Sequence, residues 1–109
     1  MIEDLNDEGE PCAPPPSFEG GELRELKIVN RKGLHARATA KFVQCVERYD
    51  AEISVTRCGE TVGGDSIMGI LTLGAGLGST ITVAARGAQA KEALEALEAL
   101  VAGRFGEDE

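Results

Sequence analysis

An α+β open-faced β-sandwich is the fold the sequence predicts: a four-stranded antiparallel sheet with three helices on one face, in the order β-α-β-β-α-β-α. Three observations point to it. Period-two alternation recurs in short stretches, most cleanly at Glu52–Thr56 and Thr80–Ala84. Apolar residues at helical spacing follow Leu34 and recur after Gly87. The links between the strands read as one hairpin and two helical crossovers.

Taken in order, residues 1–22 form an acidic, proline-rich extension, with Pro14-Pro15-Pro16 and Gly20-Gly21 and too little apolar surface to repay ordering. The expected domain covers 23–105, and 106–109 read as an acidic C-terminal tail. Leu23 to Val29 has strand character, with Leu26 and Ile28 on one face. Gly33 gives the permissive backbone of a tight turn. Ala38, Phe42, Cys45, Val46 and Tyr49 then recur at i, i+4, i+7, i+8 and i+11, which predicts a helix from about Ala36 to Arg48.

Cys58-Gly59-Glu60 is a hairpin turn between Glu52–Thr56 and a short returning strand at 61–64. Asp65-Ser66 offers N-cap chemistry for a second, short helix containing Ile67, Met68, Ile70 and Leu71, apolar nearly all round and so partly core. The last helix runs from about Ala88 to Ala102. Its buried stripe is Ala90, Leu94, Leu97 and Val101, and Gly103 is its stop.

Charge divides unevenly along the chain. Residues 1–22 hold seven acids and no base, so the net −8 belongs mostly to the extension. Six of the 11 bases, Arg24, Lys27, Arg31, Lys32, Arg37 and Lys41, surround the single histidine in sequence. As ordinary solvated side chains they need no explanation; as a patch they suit acidic protein partners. Few aromatic residues and an acidic balance argue against nucleic acid. No apolar run reaches membrane-spanning length, and the acidic N-terminus lacks the apolar core of a signal peptide, so a cytoplasmic protein is expected. Cys12, Cys45 and Cys58 form no CxxC pair, and reduced thiols are the simplest reading. They provide no ligand set for a metal with the lone histidine, and no cofactor is expected.

His35 stands where the first extended segment gives way to a helix. The first N–H groups of a helix lack intrahelical partners and carry partial positive charge, which makes the end an anion site. Ala36 and Arg37 supply backbone donors there, and the Arg37 guanidinium adds a fork suited to phosphate oxygens. A neutral imidazole in such a place can carry a phosphoryl group without a metal. One His beside one Arg is nonetheless a weak constellation, and on position alone a plain helix cap or an exposed side chain is the commoner reading.

The string Gly33-Leu34-His35-Ala36-Arg37 resembles the active-site signature of the HPr phosphocarriers of the bacterial phosphoenolpyruvate-dependent phosphotransferase system. A second stretch, Ser66-Ile67-Met68-Gly69-Ile70-Leu71, resembles the family's regulatory serine and the short helix after it. The two motifs lie 31 residues apart, and the resemblance spans roughly Leu23 to Arg104. It implies the same fold and a carrier rather than an enzyme. Enzyme I would pass a phosphoryl group to Nδ1 of His35, Arg37 would stabilise it, and an enzyme IIA component would take it away. The resemblance further implies docking through Met68, Ile67, Leu71 and Lys41, and modification of Ser66 by an HPr kinase/phosphorylase where one exists. A plain N-cap is the competing reading of Ser66, and Asp65 beside it sets a like charge against phosphorylation. Ala38 stands where many members carry proline. With the residues after it, it looks more like the nitrogen-related branch than the sugar-transport branch. A monomer fits a carrier that docks two partners in turn. The competing function is a regulatory docking module whose binding depends on its phosphorylation state.

Overall fold

The computed structural model describes residues 21–107. The expectations for the N-terminal extension, including Cys12, fall outside them almost entirely. Among the described residues eight elements follow one another: β1 (Glu22–Lys27), α1 (Ala36–Val46), β2 (Glu52–Arg57), β3 (Glu60–Gly63), α2 (Ile67–Thr72), β4 (Thr80–Arg86), α3 (Ala90–Ala102) and a 3-10 turn (Arg104–Gly106). The four strands make one antiparallel sheet in the order β1-β4-β2-β3. Helices cover one face, so the α+β open-faced sandwich is the architecture.

Register explains which side chains meet the helices. Val55 pairs with Val83, Ile53 with Ala85 and Leu26 with Ile81. Strand side chains alternate between the two faces, so these six share one face, and all are buried. α1 contributes Ala38, Phe42, Val43, Cys45 and Val46, and α3 contributes Ala93, Leu94, Leu97 and Val101. Arg24 lies on the helix-facing side of β1, one pleat from Leu26, and its guanidinium reaches Glu98 of α3 at 2.9 Å. It links β1 to α3 through an exposed ion pair, which adds little to stability. Among the cations expected around His35, this one is engaged with α3 instead.

The β2–β3 hairpin turns on Cys58 and Gly59, both with positive φ (51° and 85°), while Arg57 pairs with Glu60. Two left-handed residues in a two-residue loop match the twist of the strands they join. Cys45 is a buried free thiol. The expectation of a reduced thiol holds for Cys45, and the expectation for Cys12 lies outside the described residues. Desolvation raises the Cys45 pKa above 9.0, more than the nearby Arg48 lowers it. Cys45 is a packing residue.

Candidate functional site

The site begins at the end of β1. Beyond Lys27 the chain stays tied to the neighbouring loop, with Ile28 N–H donating to Ser79 (2.8 Å) and Leu34 N–H to Ala75 (2.9 Å). Gly33 sits between these anchors at φ 67°, and a Cβ there would lie 2.5 Å from the Ala75 carbonyl oxygen. Only glycine fits both the left-handed backbone and the close approach. This turn delivers His35 to the N-cap position of α1 with extended backbone (φ −78°, ψ 179°) and its carbonyl accepting from Thr39 N–H at 2.9 Å.

His35 does not cap the helix with its ring. No side chain among the described residues caps α1, so the first-turn N–H groups, including those of Ala36 and Arg37, remain available to a ligand. Arg37 is exposed, and no hydrogen bond or ion pair holds its guanidinium among the described residues. The imidazole, whose side chain is 29% exposed, instead meets Glu107: His35 Nε2 lies 2.5 Å from Glu107 Oε2. The other carboxylate oxygen accepts from Asn30 Nδ2 at 3.0 Å, and the same amide nitrogen donates to Gly33 O at 2.9 Å. Both neighbours are oxygens, which settles the amide orientation. Asn30 is fully buried and its Oδ1 has no partner among the described residues.

Glu107 and Asn30 were not among the residues expected from sequence. Glu107 read as part of an acidic tail, yet it belongs to the site. Its carboxylate titrates below its ordinary 4.5, chiefly because His35 and then Asn30 hydrogen-bond to it. The charges of His35 and Lys32 lower it further, and burial opposes the shift. The only sequence signal was a negative charge just beyond a helix whose start lies far from His35.

The residues expected to dock partners divide. Met68 is 71% and Ile67 41% exposed, two apolar side chains on a helix whose Ile70 is wholly buried. Leu71 is half-buried. Lys41 is turned to another task, donating to the Phe105 carbonyl at 2.6 Å. Leu77, 61% exposed in the loop beside Gly33, adds an apolar side chain that the sequence reading did not single out. Ser66 caps α2, its Oγ accepting from Gly69 N–H at 3.0 Å. Among the described residues no group of three or more His, Cys, Asp or Glu is arranged to hold a metal, and no helix is long and apolar enough to cross a membrane.

A lone histidine at an uncapped helix start, on a β-α-β-β-α-β-α sandwich, defines a small histidine-bearing domain built to present an imidazole. Comparison with known proteins makes the class specific. Residues 23–103 match the family model described as the PTS HPr component phosphorylation site. The chain is 45% identical over 86 residues to the phosphocarrier protein HPr of Cupriavidus necator, covering 79% of this chain and 97% of that one. It is 39% identical over 84 residues to the phosphocarrier protein NPr of Shewanella violacea, covering 77% and 92%. Among solved structures, HPr from Bacillus anthracis superposes with a TM-score of 0.73 at 42% identity, over 76% of this chain and 99% of that one. The chain belongs to the HPr family: it is a phosphocarrier of the phosphotransferase system, a carrier and not a catalyst.

Proposed function

We propose that His35 is the phosphoryl acceptor, charged by enzyme I and discharged to an enzyme IIA component. The observation that carries this reading is the state of the imidazole. It is partly exposed at the uncapped start of α1, with one ring nitrogen engaged and Nδ1 unbonded among the described residues. Nδ1 of the neutral ring attacks phosphorus, and the phosphoramidate is accommodated by donors that stabilise it without trapping it. Those donors are the first-turn N–H groups of α1 and the Arg37 guanidinium, which no other described residue occupies.

Exposed Ile67 and Met68 give partners an apolar anchor, and Arg37 and Lys32 give an acidic partner its charge complement. One small surface used for donor and acceptor in turn favours a monomer, and partners of this phosphotransferase system would place its work in the cytoplasm. Ser66 is the proposed regulatory position. A phosphoryl group there would put negative charge beside Ile67 and Met68 and so alter partner choice. The same exposed helix supports the second reading, a regulatory docking module that works by binding partners, without phosphoryl transfer through His35.

Incubation with phosphoenolpyruvate and a matching enzyme I, followed by intact mass, separates the two. One acid-labile phosphoryl group on the wild type and none on His35→Ala is the expected result. No group on the wild type, with the same enzyme I charging another HPr, would leave the docking module.

A further inference from the structure

An imidazole has two nitrogens, and in the neutral ring only one carries a lone pair free for attack. Which one it is depends on what holds the other. Glu107 Oε2 sits 2.5 Å from His35 Nε2. An ionised carboxylate only accepts, so Nε2 is the protonated nitrogen and Nδ1 is the bare one. The carboxylate itself is braced. Its second oxygen takes the Asn30 amide at 3.0 Å, and Asn30 is fully buried and tied to Gly33. The backbone leading to Glu107 is anchored as well, by the buried Phe105 ring and by Lys41 on the Phe105 carbonyl.

We infer that Glu107 is a positioning residue: it holds His35 in the Nε2–H tautomer and stabilises the imidazolium that forms when Nδ1 takes a phosphoryl group. The inference rests on the carrier reading above. In the step, the Nδ1 lone pair attacks the phosphorus of a protein phosphohistidine donor. The Nδ1–P bond forms as the donor's N–P bond breaks, and that electron pair returns to the donor ring. The proton on Nε2 stays where it is. Positive charge therefore develops on His35 next to the Glu107 carboxylate, and no base has to remove a proton. On discharge the electrons flow back to the ring and the same contact keeps Nε2–H in place for the next cycle.

The test uses the full-length chain, its Glu107→Ala and Glu107→Gln variants, and two readouts. The first is the nitrogen-15 spectrum of the His35 ring in the uncharged protein, which reports the tautomer whether or not any phosphoryl group is ever transferred. The second is the rate of charging by enzyme I. Glu107→Ala is expected to show a mixture of tautomers and about tenfold slower charging, the scale of one lost charge-assisted hydrogen bond. Glu107→Gln, which can still accept from Nε2–H but carries no charge, is expected to restore the ring spectrum and only part of the rate. Ring signals in Glu107→Ala identical to wild type, or charging at the wild-type rate, would overturn the inference. A wild type that takes no phosphoryl group would bring down the carrier reading instead, while the ring spectrum still decides whether Glu107 sets the tautomer.

Discussion

The Lys41 ammonium donates to the carbonyl oxygen of Phe105 across 2.6 Å, joining residues 64 positions apart and fixing the end of the chain onto α1. That end is a hook. Arg104, Phe105 and Gly106 all have positive φ (60°, 55° and 80°), which reverses the chain and presents Glu107 to His35. Left-handed backbone at two non-glycine residues is unfavourable alone, and the burial of Phe105 at 1% exposure offsets it. Phe105→Ala should therefore cost about 3–5 kcal/mol in urea unfolding and also free Glu107 from the imidazole. Lys41→Met, which removes one hydrogen bond and keeps the stem, should cost about 1 kcal/mol. A Phe105→Ala protein as stable as wild type would mean that the hook is not seated in the core.

Gly33→Ala tests the turn that carries the histidine. The substitution meets two penalties at once, the left-handed φ of 67° and a Cβ placed 2.5 Å from the Ala75 carbonyl oxygen. Left-handed backbone costs about 1–2 kcal/mol for a non-glycine residue. The clash adds to it by pushing the Gly74–Gly78 loop away from Leu34. A drop of at least about 2 kcal/mol in urea is expected, together with shifted amide signals at Leu34 and Ala75. Unchanged signals at both would show that the loop does not press on Gly33.

The Glu107 contact also predicts a pH dependence of stability. Its carboxyl is held below the ordinary 4.5 in the folded chain, so folding favours the ionised form. The stabilisation is present in full above that ordinary value and fades as pH falls through the lowered folded value. The difference in urea midpoint between wild type and Glu107→Gln should shrink as pH falls below 4.5. A gap that persists undiminished to the lowest pH at which both proteins fold would rule out an ionised Glu107 as its source.

Much of this was legible in the sequence because it is local. Alternation along Glu52–Thr56 and Thr80–Ala84, the i, i+4, i+7 stripe of α1 and the Asp65-Ser66 cap each follow from neighbours within a few residues, and the elements stand within about two residues of where those patterns put them. The motif placed His35 and Arg37 at the start of a helix, and α1 begins at Ala36 with His35 as its N-cap. Glu107 was not, because its partner lies 72 residues away and is reached only through a left-handed hook at Arg104 and Phe105, residue types that give no hint of positive φ. Asn30 was hidden for the same reason. Its buried amide braces the Gly33 turn locally, but its part in the site appears only with Glu107. Lys41 looked like an exposed basic side chain until the Phe105 carbonyl claimed it.

Ser66 separates a structural role from a regulatory one. Its Oγ accepts from Gly69 N–H at 3.0 Å, so Ser66→Ala should lose about 1 kcal/mol through the missing N-cap. Ser66→Asp keeps a capping oxygen and adds a charge, so it should hold most of that stability. If the site is regulatory, the same variant should bind enzyme I more weakly while His35 still accepts a phosphoryl group. Urea melts and titration calorimetry read the two effects separately. Equal affinity of Ser66→Asp and wild type for enzyme I would confine Ser66 to capping.

Arg37 carries the sharpest prediction about transfer itself. Its side chain is exposed and holds no partner among the described residues, so Arg37→Ala should change folding stability by no more than about 0.5 kcal/mol. On the proposed reading its effect belongs to the charged state, where the guanidinium would face phosphoryl oxygens that the free protein lacks. Charging by enzyme I should slow by about ten- to a hundredfold in Arg37→Ala, the range expected from losing one charge-assisted, bidentate contact. Arg37→Lys should recover only part of the loss, since an ammonium supplies charge without the planar fork. Single-turnover charging, followed by intact mass and set beside urea melts of the same variants, gives both quantities. Stability and charging falling together would assign Arg37 to the fold; charging alone falling, with lysine intermediate, assigns it to the phosphoryl group.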